Sequence, residues 1–570
     1  MEGRHARGAR GHDRGARGAP RPEHGIGLKV RLEHLPADVL GLSDIARAAL
    51  SAGPEFPPLP VPRRTADILR PADRLDTTER ATLARKIKTG LEPLRPPSRV
   101  VTSLNVLGTS DVFAVVTGQQ PGFLASPLYS LYKGMQACRL AHELALDWGS
   151  PVVPVFWNHA DDHDVAEVHH DYLLNESLDV KKITLAGLSS GRLPIGRIQL
   201  SDSRHHLGAI RSILTQGLGE SESLESALDV FFPRSGETLA RAFTRAMTAL
   251  LGEHGLVVVE PDWIRGEISR ALAELVSHDP LPPLAEGAAE LRSLGFEPAL
   301  EPSEAALVYH VTETGRHALR AGGDGYRFDG ERGSRSPAEL AAEIVAEPGA
   351  WSPGALFRPL VQDLVFPVAA TIGGFGELAY HAGLDALRRA RNVPRTPFVP
   401  RISCTLVEPE TDAAMKVLAT DTLEVLRHKG ELAPGAAQPD APPVIADIRA
   451  TTEEALGALL AHRAELANID AALGENMKRT ARQIRGLIDK LLGKAERVHA
   501  NKTGRGRRNA RRVTNTLFPR GLPQERVFGP FAYTVRYGRA WIDALYEELP
   551  ALSSEHLVVH LVPEGEEASA

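Results

Sequence analysis

Two polar groups that could bind a substrate follow β-like runs of this sequence. The first is the loop at residues 117–122, T-G-Q-Q-P-G, which follows the run FAVVT. Its glycines let a main chain approach a ligand closely, and each glutamine amide can both donate and accept hydrogen bonds. A helix N-terminus after the loop would favour an anion. Because the pattern is neither G-x-G-x-x-G nor a phosphate loop, a ligand-binding loop and an ordinary turn are both open on the pattern alone.

The second polar group lies at residues 156–170, F-W-N-H-A-D-D-H-D-V-A-E-V-H-H. Its centre is Asp161, Asp162, His163 and Asp164. Three carboxylates around one imidazole could bind a cation, orient an amine or carry out acid–base chemistry. The histidines also suggest a metal site, but their spacing matches no zinc motif such as H-E-x-x-H. A solvated acidic loop is the alternative.

A third group is set among apolar residues at 356–383 and includes a glycine-rich turn at 373–376. Its polar members are Arg358, Gln362, Asp363, Glu377 and Tyr380. A guanidinium can hold a carboxylate or phosphate through two parallel hydrogen bonds. The alternative is a buried structural Arg–Asp pair.

Two further features carry weaker signals. The basic run NKTGRGRRNARR at 501–512 has no interleaved aromatic residues on which bases could stack, which favours a solvated helix face over a nucleic-acid site. Cys404 has no catalytic signature around it, so a buried cysteine is expected there.

The composition sets the class of protein. A chain of 570 residues exceeds what one hydrophobic core usually holds, so more than one domain is expected. The net charge of -6 gives no general sign of nucleic-acid or membrane partners. No apolar run approaches the ~18 residues that span a bilayer. With only Cys138 and Cys404, a reducing compartment, the cytoplasm, is expected, and a thiolate zinc site is not.

The polar groups are joined by elements that predict their placement. A buried strand at 113–117, a helix at 127–147 and a second strand at 151–158 form a βαβ unit, which is right-handed with parallel strands. A helix at 235–251 leads into a strand at 255–262. The sequence therefore predicts a doubly wound α/β core, in which the first two polar loops open at one edge of the sheet.

Beyond the core the apolar period changes. Apolar residues recur every three or four positions from 466 to 498, which predicts a coiled coil. Gly474 favours a helical hairpin that turns near 470–475, and a second helix from 476 to about 516 would be about 60 Å long.

The predicted organisation has six parts. They are a disordered basic tail (1–28), the α/β core (29–432) with β-containing insertions at about 175–235 and 300–350, a linker (433–446), an antiparallel coiled coil (447–518), a segment that returns to the core (519–562) and a frayed end (563–570). In the first insertion, strands are predicted on both sides of a turn at 189–191, the second of them at about 191–202. In the second insertion, a β meander is predicted at 306–330.

Several of these stretches occur together, in this order, in a known family. The chain resembles the bacillithiol biosynthesis protein BshC, a cysteine-adding enzyme, over roughly residues 58–561. The resemblance rests on VVTGQQPGFLASPLYSLYKGMQACRLA, PVVPVFWNHADDHDVAEVHH, RPLVQD, GGFGELAYHAGL, PFVPRISCTLVEP and LFPRGLPQERVFGPF. The combination is specific, although none of these stretches would be so alone.

The resemblance implies a Rossmann-like core, related to class I aminoacyl-tRNA synthetases and nucleotidyltransferases, with a coiled-coil domain and a dimeric assembly. The implied reaction joins the carboxyl group of cysteine to the amine of glucosaminyl-malate, the last step in making the low-molecular-weight thiol bacillithiol. The family's E-D-H-D is D-D-H-D here, and its G-P-G-E is G-F-G-E, so a rigid turn residue is lost at Phe375.

The resemblance also implies roles for individual residues. Asp162, His163 and Asp164 are the expected catalytic residues. The expected substrate-binding residues are Thr117, Gly118, Gln119, Gln120, Tyr129, Lys133, Trp157, Asp161, Arg358, Gln362, Asp363, Gly376, Glu377 and Tyr380. No metal is expected. The fold kinship makes ATP a candidate activator, but the sequence has neither a phosphate loop nor a K-M-S-K-S motif to establish it.

Two other functions are compatible with the sequence. One is a different adenylate-forming or nucleotidyl-transfer enzyme on the same fold. The other is a non-catalytic coiled-coil scaffold.

Overall fold

The computed structural model describes most of the chain. The described residues are 27–72, 75–186, 188, 191–200, 204–219, 221–322, 325–328, 334–432, 442–503 and 505–563. The predicted tail up to residue 26, the turn at 189–190, the predicted linker at 433–441 and the end from 564 lie outside them.

The strands belong to four sheets. In chain order they are β1 (Leu28–Leu35), β2 (Phe113–Gln119), β3 (Val152–Asn158), β4 (His170–Leu174), β5 (Val180–Thr184), β6 (Val257–Val259), β7 (Val308–Thr312), β8 (Gly315–Gly322), β9 (Gly325–Phe328), β10 (Trp351–Pro353), β11 (Val368–Gly373), β12 (Phe398–Pro400), β13 (Ser403–Val407) and β14 (His556–Pro563).

The helices cover the sheets and form the C-terminal coil. They are α1 (Asp44–Ala52), α2 (Thr77–Leu91), α3 (Ser98–Leu107), α4 (Leu128–Trp148), α5 (Val165–Val168), α6 (Arg204–Leu218), α7 (Glu222–Phe231), α8 (Leu239–Leu251), α9 (Arg265–Val276), α10 (Leu281–Ser293), α11 (Pro337–Ala346), α12 (Phe357–Val365), α13 (Phe375–Ala382), α14 (Asp385–Ala390), α15 (Pro409–Leu418), α16 (Thr422–Arg427), α17 (Pro443–Ala461), α18 (Arg463–Ile469), α19 (Ala471–Thr503), α20 (Arg505–Leu517), α21 (Gln524–Val527), α22 (Phe531–Tyr537) and α23 (Ala540–Glu548). None of the described helices is both long enough and apolar enough to cross a membrane.

The central sheet has the order β12-β11-β2-β3-β6, and its strands are all parallel. This confirms the predicted α/β core. The predicted strand at 113–117 extends two residues further, whereas the strand predicted at 255–262 is reduced to Val257–Val259. The chain leaves that strand early because Pro261 begins a 3-10 turn and cannot donate to a strand ladder.

Both faces of the sheet are covered by apolar side chains. On β2, Val115 packs in the cluster that contains α4, and Val116 packs in the opposite cluster with α3 and α9. Side chains alternate between faces along a strand, so burial on both faces requires the continuous apolar run seen in the sequence. The predicted stripe of α4, including Leu131 and Met135, is fully buried against this sheet.

One insertion follows its prediction and the other does not. The meander at 306–330 is present as β7, β8 and β9, and β10 joins it in a four-stranded antiparallel sheet, the insertion sheet. In the other insertion β4 pairs with β5, but the strand predicted at about 191–202 is wrong where the structure describes it. Residues 195–197 form a 3-10 turn instead, because Pro194 starts the turn and only Gln199 makes an isolated bridge.

The two ends of the described chain meet in a separate sheet. Its order is β1-β14-β13, with β1 antiparallel and β13 parallel to β14. Next to it, α15 and α16 pack against α20 through residues such as Met415, Leu426 and Val513. From residue 403 the chain therefore pairs with the C-terminal segment, within the range predicted as core, and Cys404 and Leu406 of β13 also lie in the apolar cluster that contains α4.

The coil is a helical hairpin. α17 and α18 pack along α19, and the chain reverses at Asp470, within the predicted turn. Gly474 is needed at this crossing because a Cβ there would come within 2.9 Å of the Cβ of Ala467. The first helix begins at Pro443, four residues before the predicted start of the coil at 447.

A buried carboxyl group joins β4 to the C-terminal segment. Asp171 is 4% exposed, and its carboxyl accepts hydrogen bonds from the backbone N–H groups of Tyr172, at 2.8 Å, and Gly529. Burial raises its pKa to about 8, because no cation among the described residues pairs with it.

We expect Asp171→Asn to reduce the pH dependence of stability. A carboxyl whose pKa is raised on folding stabilises the fold fully below about pH 4, and this contribution is lost as the pH rises to about 8. Between pH 5 and pH 8, the stability of the variant relative to the wild type should rise by up to about 4 kcal/mol, as measured by urea titration at both values. Asp229→Asn, at an exposed position, is the matched control. Equal pH slopes in all three proteins would contradict the expectation.

Candidate functional site

The polar loops meet at the carboxyl edge of the central sheet. Thr117 of β2 is in register with Phe156 of β3, and Val116 of β2 with Thr371 of β11. The loops after these three strands therefore lie side by side, as expected for a parallel sheet. They are residues 119–122, 159–164 and 373–377, and we call the region that these three loops border the cleft.

A buried ammonium group fastens two of these loops together. Lys133, on α4, is 2% exposed, and its Nζ donates to the carbonyl of Gly118 (3.0 Å), to Gln119 Oε1 (3.1 Å) and to Glu377 Oε1 (2.9 Å). Glu377 Oε2 also accepts from the N–H of Gly374 at 3.0 Å, capping α13. Burial lowers the pKa of Lys133, and the nearby Glu377 carboxylate opposes that change. We call this group the Lys133–Glu377 clamp.

The two glutamines point to different neighbours. Gln119 Nε2 donates to the hydroxyl of Tyr129 at 3.3 Å, and Gln120 Nε2 donates to Asp162 Oδ2 at 2.7 Å. Burial raises the pKa of Tyr129 to about 12, which keeps the phenol neutral. The T-G-Q-Q loop thus connects α4 to the acidic loop.

The first half of the T-G-Q-Q motif is closely packed. Thr117 donates its hydroxyl to the carbonyl of Ile372 at 3.0 Å, which ties β2 to β11. At Gly118 a Cβ would lie 2.5 Å from His159 Nε2 and 2.6 Å from the Trp157 carbonyl oxygen, so only glycine fits. Trp157 itself is 1% exposed and packs in the core, so it lies behind the cleft.

The N-terminus of α4 does not provide the anion site that the sequence suggested. A 3-10 turn at Phe123–Ala125 separates the helix from the T-G-Q-Q loop, and the N–H of Leu128 donates to the carbonyl of Phe528 at 2.8 Å. The first helical donor is therefore already used.

Asp162 is the centre of the acidic loop. Its Oδ1 accepts from the backbone N–H of His163 at 2.7 Å and lies 3.7 Å from Arg316 Nη1, while Oδ2 is held by Gln120. Burial alone would raise the pKa of Asp162, but contacts with His163, Arg316 and Gln120 outweigh it and hold the pKa below its usual range. The carboxylate is therefore ionised at neutral pH.

His163 lies directly beside this carboxylate. Its Nδ1 is 3.5 Å from Asp162 Oδ1 and is buried without a hydrogen-bond partner among the described residues. The ring also lies near Tyr309 of the insertion sheet, with centroids 6.2 Å apart. The imidazole nitrogen and the carboxylate oxygen therefore face one another.

The other two carboxylates of the loop are engaged elsewhere. Asp161 is buried and accepts two hydrogen bonds from Arg265, one of them 3.0 Å long. Asp164 is exposed and caps the short helix α5 by accepting from the N–H of Glu167 at 3.3 Å. The structure thus brings Asp162 and His163 to the cleft and gives Asp164 a capping position.

His159 lies in the cleft in a way the sequence did not predict. It lines a small cavity together with Gly118 and Arg358. Burial and the positive charges of Arg358 and Lys133 hold its pKa well below its usual value, so the imidazole is neutral. Within the described ranges, no three His, Cys, Asp or Glu side chains are grouped so that they could hold a metal ion.

The residues of the third polar group divide between two sides of α12. Arg358 and Gln362 line the same cavity as Tyr380, whose hydroxyl accepts from Arg358 Nη2 at 3.4 Å. Asp363 does not pair with Arg358. It is buried in an ion pair with Arg388 and accepts from Thr396 Oγ1 at 3.0 Å.

The glycine-rich turn forms without the family's proline. Phe375 begins α13 and Gly374 is its N-cap, closed by Glu377. Gly376 lies in the first turn of the helix, where an added Cβ would meet no atom within 4 Å.

Cationic side chains from distant segments were missed by the sequence reasoning. Arg401 lies over the Tyr129 ring, 5.1 Å from its centroid, and pairs with Glu525 at 2.5 Å. Glu525 also accepts from the N–H of Cys404 at 3.0 Å, and so connects the Q-E-R stretch to β13. No local sequence pattern marks these pairs, because their partners are more than 100 residues apart.

The comparisons with known proteins agree with this architecture. Residues 64–402 match the family model described as "Bacillithiol biosynthesis BshC, N-terminal Rossmann-like domain", and residues 404–561 match "Bacillithiol biosynthesis BshC, C-terminal coiled-coil domain". The division at 402–404 agrees with the packing of β13 on β14 and lies before the linker that we predicted at 433–446.

Similar proteins carry the name "Putative cysteine ligase BshC". One from Heliobacterium modesticaldum is 30% identical over 465 residues, covering 79% of this chain and 83% of that protein. One from Salinibacter ruber is 29% identical over 515 residues (87% and 90%). One from Koribacter versatilis is 28% identical over 457 residues (79% and 84%).

We expect Glu377→Gln to destabilise the core. It removes the carboxylate from a lysine that is almost completely buried, and breaking such a pair from one side typically costs about 3 kcal/mol. Glu453→Gln is the matched control, because it breaks the exposed pair with Arg485 and should leave the stability almost unchanged. Urea titration measures the free energy of unfolding of both variants. Equal losses in the two variants would contradict a stabilising role for the Lys133–Glu377 clamp.

Proposed function

Because this chain belongs to the BshC family of bacillithiol biosynthesis, we propose that it is the ligase that adds cysteine to glucosaminyl-malate. The new amide bond would join the cysteine carboxyl carbon to the glucosamine nitrogen, as the last step of the pathway. The observation that carries the proposal is the pair of ionised Asp162 and adjacent His163, held by Gln120, in two loops whose Gly118 and His159 line a cavity with Arg358.

The pair has the chemistry that amide formation needs. An amine that attacks an activated carboxyl group must lose a proton, and an imidazole is the side chain best suited to accept it near neutral pH. The imidazolium of His163 would form 3.5 Å from the Asp162 carboxylate, which would stabilise it. Gln120 and Arg316 keep that carboxylate in place and ionised. Asp164 would act through the local backbone, as the cap of α5.

The substrate would lie along the T-G-Q-Q loop. Gln119, Tyr129 and Tyr380 offer neutral polar groups of the kind that position hydroxyls, while Arg358 and Gln362 offer donors for a negatively charged group. Lys133 and Glu377 would hold the cleft together, because their charges satisfy one another, and Glu377 also lines the cavity beside Arg358.

We propose ATP as the activator of the cysteine carboxyl group. A free carboxylate does not react with an amine until it carries a leaving group, and an adenylate or phosphate would supply one. The proposed reaction would take place in the cytoplasm, which suits a chain whose two cysteines, Cys138 and Cys404, are both free thiols in the core.

We expect His163→Ala to lose condensation while it stays folded. Purified protein is incubated with glucosaminyl-malate, cysteine and ATP, and with each component omitted, and the product is measured by mass spectrometry. General acid–base groups typically contribute 10²–10⁴-fold, so the rate should fall at least about 100-fold. His462→Ala, on the exposed coil, is the control and should keep the wild-type rate.

Normal condensation by His163→Ala would contradict its role as a base. Product formed without ATP would reject ATP as the activator. If another amine consumed cysteine instead, the chain would be a different adenylate-forming enzyme on this fold. If no substrate raised the temperature of thermal unfolding, a non-catalytic coiled-coil scaffold would be favoured.

We also propose that the coil associates two copies of the chain. α19 has 33 residues, and in the part of the chain that the structure describes it packs mainly against α17 and α18. Leu473, Leu487 and Leu491 are exposed along it, at 40%, 66% and 58%. Exposed apolar side chains in such a row are typical of a helix that packs against a partner.

We expect Leu487→Glu with Leu491→Glu to yield a monomer where the wild type is a dimer, because two carboxylates would have to be buried in the contact. Light scattering during gel filtration measures the mass. Leu146→Glu, an exposed leucine at the end of α4, is the control and should leave the dimer intact. A monomeric wild type would contradict this part of the proposal.

A further inference from the structure

The insertion sheet brings one guanidinium group to the cleft and holds it firmly. Arg316, on β8, is 6% exposed and lies over the ring of Tyr309 on β7, 3.6 Å from its centroid. Its Nε donates to Ser352 Oγ at 3.2 Å, and Nη2 donates to the carbonyl of Pro353 at 2.9 Å. Both of these partners are on β10. The sheet therefore fixes the orientation of the planar group.

The remaining nitrogen of this group points to the acidic loop. Arg316 Nη1 is 3.7 Å from Asp162 Oδ1, too far for a hydrogen bond. The two oxygens of Asp162 are already engaged by the N–H of His163 and by Gln120. In the part of the chain that the structure describes, no group accepts a hydrogen bond from Nη1.

A second guanidinium group lies on the other side of the T-G-Q-Q loop. Arg358 lines the cavity beside Gly118 and makes one long contact, 3.4 Å, with the Tyr380 hydroxyl. No carboxylate of the described chain pairs with Arg358. The nearest acidic group of that loop, Glu377, is taken up by Lys133.

The two guanidinium groups border the same loop. His159, the first residue of the acidic loop, lines the cavity with Arg358, and Asp162 of that loop lies 3.7 Å from Arg316 Nη1. Both groups have N–H donors that no described group accepts, and an anion that reached both would satisfy these donors and offset the repulsion between the two charges.

We propose that Arg316 and Arg358 together bind one oxyanion of the substrate, and that the insertion sheet thereby takes part in substrate selection. The proposal deepens the proposed function and rests on it for the sources of that oxyanion. They are a malate carboxylate of the acceptor, the carboxylate of cysteine and a phosphate of the activator. A guanidinium suits all three because two of its N–H groups can donate to two oxygens of one anion at once.

Binding to the full-length chain tests this directly. L-malate, cysteine and inorganic phosphate are titrated separately by calorimetry into the wild type, Arg316→Lys and Arg358→Lys. Lysine keeps the positive charge but lacks the paired N–H donors of the guanidinium. The probe that carries this oxyanion should bind at least about ten-fold more weakly to both variants. The identity of the affected probe assigns the oxyanion to acceptor, donor or activator.

The control is Arg335→Lys, on the same insertion. Arg335 lies over Phe328 and pairs with Glu343 at 3.1 Å, away from the cleft, so all three probes should bind it as they bind the wild type. If Arg316→Lys binds every probe as tightly as this control, the proposal is overturned.

A second variant covers the case in which Arg316→Lys does not fold. Tyr309→Leu removes the ring beneath the guanidinium and leaves the arginine in place, and it should weaken the same probe by a smaller factor. Unchanged binding by a folded Tyr309→Leu, together with unchanged binding by Arg358→Lys, would also overturn the proposal.

The outcome is separable from that of the proposed function. If a probe binds the wild type and is lost in the variants but no condensation product forms, the oxyanion site stands and the ligase assignment fails. If condensation occurs and the variants bind all probes normally, the ligase assignment stands and the oxyanion site fails.

Discussion

The ammonium group of Lys133 is the contact on which the arrangement of the cleft depends. A buried charge is very costly unless it is paired and fully hydrogen-bonded. Lys133 meets this condition only when the Gly118 carbonyl, the Gln119 amide and the Glu377 carboxylate converge on it. The loop after β2 and the start of α13 are therefore forced together. The cavity lined by Arg358 and His159 lies between them.

The carboxylates around the cleft are sorted by cations from elsewhere in the chain. Asp161 and Asp162 are adjacent in sequence, yet one is neutralised by Arg265 on α9 and the other faces Arg316 on the insertion sheet. The first is thus a structural ion pair, and the second keeps a charge that can act on His163. Neighbouring residues of one chemical type have different roles because different segments approach them.

The C-terminal half is joined to the start of α4, the helix that carries Lys133. Arg401 joins the phenol ring of Tyr129 to Glu525, which in turn is bonded to the backbone of β13. Gln524 continues this contact, with hydrogen bonds to both backbone groups of Leu406. The Q-E-R stretch therefore fixes how the segment after the coil packs on the core, and a change in that packing would reach Tyr129 through three contacts.

The sequence alone determined the strands and helices of the core and the edge of the sheet at which the polar loops lie. A β-branched run followed by an amphipathic helix and a second such run can only bury its apolar residues as a βαβ unit, which places the T-G-Q-Q and D-D-H-D loops side by side. Apolar residues spaced three or four positions apart predicted the helices of the coil, because this spacing places them on one face that must be buried. The individual site residues followed from those loops and from the family resemblance.

Only the tertiary structure decided which polar residue meets which. Arg358 and Asp363 looked like one pair, but five residues correspond to about 140° around a helix, so they face different sides of α12. Trp157 alternates with its neighbours along β3 and so packs in the core, not in the cleft. Arg265, Arg316 and Arg401 carry no local pattern, because their significance comes from carboxylates and rings far away in sequence. Periodicity records which face of an element is buried, whereas the partner of a charge is set by the packing of separate elements.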